Sequence, residues 1–175
     1  MNWEAIAAVG EILGAIGVIA SLLFLSLQLR KSDQTARAQS LQSVIDGQRD
    51  RAILPLYQNP NVADIVARGY TDFENMIAND KRIFYVWISD QVFQMQQVMQ
   101  LYERQLISKV DFDAWLVYLV SLVQTPGGAA AWKHIETTIT PTIRDIVNNY
   151  IENNPDSPSF VDLNPLWKHD GENDT

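Results

Sequence analysis

The apolar positions of the chain follow two rhythms. Between Ala5 and Leu29 they form a run of 25 residues in which Glu11 is the only formal charge. At about 1.5 Å per residue a helix of that length reaches about 37 Å, enough to cross a hydrocarbon core of about 30 Å with some tilt. A secretory leader is the competing reading, and three features oppose it. No basic residue precedes the run, the run exceeds an ordinary leader core, and no small-residue cleavage site stands where it ends in LSLQLRK. Residues 1–30 therefore read as an uncleaved transmembrane anchor.

Beyond Arg30 the apolar residues recur at helical spacing. Ala38, Leu41, Ile45 and Ala52 make a stripe in a stretch where Gly47 is the only weak point before Pro55. That predicts a long helix continuing from the anchor, or restarting near Ser32. Asn59-Pro60 predicts a helix start and Gly69 a helix end, with a loop to about Asn79. Over 80–106, Phe84, Trp87, Ile88, Val92, Met95, Met99, Tyr102 and Leu106 form a broad stripe for burial. Ser108 and Asp111 have the spacing of a capping box for the next helix. Its apolar run, Ala114 to Leu122, is too short to span a bilayer and reads as core. Thr125-Pro126 and Thr140-Pro141 each place a capping residue before a proline and predict two more helices, the last ending near Asn153.

No stretch alternates as a strand does, so the fold class is all-α. The expected order is a transmembrane anchor over 1–30, a cytoplasmic helical bundle over 31–152 and an acidic, proline-containing tail over 153–175. In the tail Phe160, Leu163, Leu166 and Trp167 sit among Pro, Asp, Ser and Asn. This suits either a disordered end or an extended arm whose apolar side chains dock in a groove.

Within the anchor, Ala7, Gly10, Gly14, Gly17 and Ser21 recur at alternating spacings of three and four, which keeps them on one face. Small residues let helix backbones approach closely in lipid, so this seam predicts a helix–helix interface. Ile12, Ile16, Ile19 and Leu23 occupy the opposite face and suit acyl chains. Glu11 flanks the seam, about 12 Å along the helix from Trp3, and so lies in the outer leaflet. Three roles are open to it: a protonated hydrogen bond to a partner helix, a ring of acids around a pore, or outward snorkelling. Trp3 on one side and Arg30 and Lys31 on the other read as interfacial anchors. With Arg37 nearby and no base before the run, the positive-inside rule places the N-terminus outside and the rest in the cytoplasm.

Charge and composition narrow the function further. A net charge of −8, with the tail setting Lys168 against five acids, argues against nucleic acid as a partner. The absence of cysteine removes disulfides, zinc–thiolate sites, iron–sulfur clusters and thiol catalysis. His134 and His169 are the only histidines, and neither has metal-ligand spacing. Asp111 and Asp113 fall in the first turn of a helix, where acids suit the dipole. The TPGGAAAW stretch has adjacent glycines but no phosphate-loop lysine. The sequence thus offers no catalytic, cofactor-binding or metal-binding residues, and an enzyme is not the expected reading.

The segments NWEAIAAVGEILGAIGVIASLLFLSLQLR, QTARAQS and FQMQQVMQLYERQLISKVDFDAWLVYLVSLVQTPGGAAAW together resemble an uncharacterised family of bacterial single-span membrane proteins. The likeness covers roughly residues 2–150 and is strongest in the first 30. It departs at Tyr102-Glu103-Arg104, where the family often has paired tyrosines followed by His or Gln. The resemblance implies a membrane-anchored helical architecture and transfers no activity, cofactor or site. The expected function is a single-pass inner-membrane protein that self-associates through its anchor, as a structural, scaffolding or accessory subunit. Its expected partners are the bilayer and copies of itself or other membrane subunits. The alternative is a homo-oligomeric channel or gate with a Glu11 ring.

Overall fold

The computed structural model describes residues 3–167, with residues 4–10, 52 and 57 described by their backbone alone. Among the described residues every regular element is helical. The longest, α1, runs unbroken over Trp3–Gln48. No glycine or proline lies between Gly17 and Gly47, so nothing kinks it near Ser32. Pro55 changes the helix's pitch before it ends it. Arg49–Ile53 form a π turn whose closing bond runs from the Leu54 N–H to the Arg49 carbonyl, and α2 follows over Leu54–Gln58. Proline lacks an N–H, and in the first turn of α2 that loss costs no bond.

Contacts divide the chain into two compact units, residues 1–39 and 40–175. In the first, α1 is the one helix among the described residues that is long and apolar enough by itself to cross a membrane. Its apolar side chains from Ile12 to Leu29 are exposed throughout.

The second unit is built around α4, Ala78–Glu103, against which α3 (Pro60–Thr71), α5 (Lys109–Val123), α6 (Pro126–Ile135) and α7 (Pro141–Asn153) pack. Phe84, Ile88, Val92, Met95 and Val98 of α4 are buried and meet Ile65, Val66, Leu119, Leu122, Ile135, Ile143 and Val147 from its neighbours. Full burial of a side chain such as Phe84 contributes about 2–3 kcal/mol. The apolar run of α5 belongs to this core: Leu116, Leu119, Val120, Leu122 and Val123 are buried. Helix α6 leaves α5 at 106°.

Local capping fixes the helix starts. Ser108 accepts from the Asp111 N–H at 3.2 Å, and the Asp111 carboxylate accepts from the Ser108 N–H at 3.1 Å. Ser108→Ala removes one of these bonds and is expected to lower stability by about 1 kcal/mol, read from a denaturant titration. Thr125 accepts from the Gly128 N–H at 3.1 Å, whereas the Thr140 side chain makes no such bond.

Three local expectations are corrected. Gly69 does not end α3, which runs on to Thr71; the glycine lets the Phe84 ring lie against the α3 backbone. Helix α4 stops at Glu103, because Gln105 turns to a φ of 58°. That excludes Leu106 from its stripe. At the end of α1 the buried residue is Val44, while Ile45 stays exposed, so the inward face is rotated by one position.

Candidate functional site

Two features stand out, one in each unit. In the first, a Cβ added at Gly14 or Gly17 would meet nothing within 4 Å, so both glycines leave a bare strip of backbone. Ser21, on the same face, donates its hydroxyl to the Gly17 carbonyl at 2.8 Å. That bond satisfies the hydroxyl within the helix. Trp3, Glu11, Arg30 and Lys31 are all exposed. Of the remaining seam members, Ala7 and Gly10 lie where only the backbone is described.

The second feature is an apolar cavity of about 470 Å³ in the helical unit. It is lined by Gln48 at the end of α1, Ile53 of the π turn and Leu56 of α2, by Tyr70 of α3 and Trp87 of α4, and by Ala114, Trp115 and Tyr118 of α5. Phe160 of α8 (Phe160–Leu163) and Trp167 of the 3₁₀ turn Pro165–Trp167 complete it. Six of these ten residues are aromatic, and none carries a formal charge. Cavities of this size with aromatic walls and few polar groups are the common form of small-molecule sites.

The tail is therefore part of the wall. Phe160 packs against Tyr70 at 5.1 Å and Tyr118 at 6.2 Å between ring centroids, and Trp167 lies 6.1 Å from Tyr70. Leu163 and Leu166 do not dock: they are 54% and 100% exposed. Val161 takes the buried position of the single-turn α8, and Leu163, two residues on, falls on the side opposite it. Leu166 is turned out while Trp167 beside it lines the cavity.

Polar groups around the cavity are few and incompletely paired. Trp87 Nε1 donates to the Tyr70 hydroxyl at 2.8 Å. Gln48 Nε2 donates to Gln91 Oε1 at 3.3 Å and to the Tyr118 hydroxyl at 3.4 Å, both long. Gln48 Oε1 and Gln91 Nε2 are buried without a hydrogen-bond partner among the described residues. Burial pushes the Tyr70 and Tyr118 phenols up, against the opposing effect of the bonds they accept from Trp87 and Gln48. Both hydroxyls thus stay protonated at neutral pH and can donate.

The titratable residues singled out from sequence are not brought together. His134 is exposed at the end of α6, and His169 lies outside the described residues. Asp111 is held in its cap, and Asp113 pairs with Lys109 at 2.6 Å. Arg68 bridges Asp64 at 2.8 Å and Asp80 at 2.9 Å, tying α3 to α4. Among the described residues no three His, Asp or Glu side chains cluster closely enough to hold a metal ion. The adjacent glycines of TPGG are packing residues: a Cβ on Gly128 would overlap the Leu122 carbonyl.

Sequence reasoning picked out Phe160 and Trp167 but missed the rest of the cavity. Its lining comes from eight elements, and no spacing along the chain links Gln48 to Trp115. No protein-family model, no curated protein and no solved structure matches the chain.

Proposed function

We propose that this protein is a single-span membrane protein that self-associates through α1 and acts as a structural or accessory subunit of a membrane assembly. One observation carries the reading. A continuous exposed apolar helical surface bears, on one face, glycines with open space around them. Lipid covers the Ile12, Ile16, Ile19 and Leu23 face, while the bare strip at Gly14, Gly17 and Ser21 suits the close approach of a second helix backbone. Glu11 at the flank of that strip gains a hydrogen-bonding partner when helices pair, which offsets the cost of an acid in the outer leaflet. Arg30, Lys31 and Arg37 favour a cytoplasmic helical unit and an outer N-terminus, at the inner membrane of a bacterium.

The chain's lack of cysteine makes a clean test possible. Single cysteines at Gly14, Gly17 and Ser21 are expected to cross-link copies in membranes under mild oxidation. Cysteines at Ile12, Ile16, Ile19 and Leu23 are expected to remain monomeric. Cross-linking without this helical periodicity, or at none of the seven positions, overturns the seam.

A further inference from the structure

We infer that the aromatic cavity of the helical unit is a binding site for an uncharged, flat ring compound carrying a carbonyl or an equivalent acceptor group. This goes beyond the anchoring role and stands on different residues.

The walls suit a planar guest. Trp115 and Tyr118 stand at 88°, Tyr118 and Phe160 at 83°, and Phe160 and Trp167 at 60°. Rings set nearly at right angles present faces and edges together, the arrangement that a third ring completes by offset and edge contacts. A straight acyl chain gains nothing from that alternation. The volume of about 470 Å³ admits a fused two-ring compound and is larger than a lone side chain needs.

Charge chooses among ring compounds. No Lys, Arg, Asp or Glu lines the cavity. A carboxylate or quaternary ammonium would lose its hydration there with no counter-charge to offset the loss. An uncharged polar group meets a different reception. The Tyr118 hydroxyl accepts only the long bond from Gln48 and retains its own proton. A carbonyl on the guest, such as that of a carboxamide, can accept that proton.

The segment bearing Phe160 and Trp167 is a short strap. It is tied to α5 by the Gln124–Ser157 hydrogen bond at 3.1 Å and by buried Val161.

The test uses the full chain in lipid nanodiscs, titrated calorimetrically with naphthalene-2-carboxamide against empty discs. Saturable binding at one site per chain is expected. Ala114→Trp, at an exposed position on the rim, is expected to weaken it by about tenfold or more through obstruction. Tyr118→Phe is expected to weaken it about fivefold through the lost hydrogen bond, with helicity unchanged. Naphthalene-2-carboxylate is expected to bind at least about tenfold more weakly. Uptake equal to that of empty discs overturns the site, as does binding that survives both substitutions. Equal or tighter binding of the carboxylate, of phenyltrimethylammonium or of decanamide overturns the ligand class in favour of an anion, a cation or an acyl chain.

Discussion

Gly127→Ala is expected to destabilise the helical unit by about 3 kcal/mol or more, lowering its melting temperature by about 10 °C. A Cβ at this position would overlap the Gly69 carbonyl oxygen and sit 2.7 Å from Phe84 Cε1 and 3.0 Å from Phe73 Cβ. The obstacle is backbone on one side and a fully buried ring on the other, so neither can swing aside. Gly69 closes the same contact from α3, since its own added Cβ would strike the Phe84 ring. Two glycines and one phenylalanine therefore set the distance between α3, α4 and α6. Gly14→Ala is the matched control: with nothing within 4 Å, it is expected to leave the melting temperature of the helical unit unchanged. A thermal melt followed by far-UV circular dichroism separates the two. A loss below about 1 kcal/mol for Gly127→Ala would mean that α6 can slide on α3.

Removal of residues 1–39 is expected to move the protein from the membrane fraction to the soluble fraction while leaving a cooperatively folded domain. Among the described residues every core residue lies at or beyond Val44, and the contact boundary falls between Gln39 and Ser40. The retained end of α1 keeps its attachment, because Gln94 Nε2 still donates to the Val44 carbonyl at 3.0 Å. The removed part holds all the contiguous exposed apolar surface from Ile12 to Leu29. Fractionation checks the first half of the expectation and a denaturant melt the second. A truncated chain that still sediments with membranes would place the membrane-binding surface elsewhere.

These two results depend on features that differ in how far the sequence discloses them. The apolar helix α1 is legible because its signal is local and long, an apolar run broken only by Glu11. The starts of α5 and α6 are legible for a similar reason, since Ser108 with Asp111, and Thr125 before Pro126, act within one turn. The stripe from Phe84 to Met95 follows from its period alone.

Gly69 shows where that reasoning fails. A glycine after an apolar stripe has the same local signature whether it stops a helix or admits a neighbour, and only the Phe84 ring, 15 residues further on, decides it. The buried face of α1 turned on a similar point. Val44 rather than Ile45 faces inward because Gln94 and Gln91 of α4 hold that helix by hydrogen bonds, an attraction no hydrophobic period encodes. The cavity was illegible for want of any local pattern. Trp87, Trp115 and Tyr118 read as ordinary core and Phe160 and Trp167 as tail side chains, and only the fold places them around one space.

Self-association through α1 is the central claim, and the mass of the full-length particle in mild detergent tests it most directly. The chain weighs 19.8 kDa. The account predicts a particle containing two or more copies, which Gly14→Leu with Gly17→Leu breaks down without unfolding the helical unit. A strictly monomeric particle of 19.8 kDa at every protein concentration would contradict it.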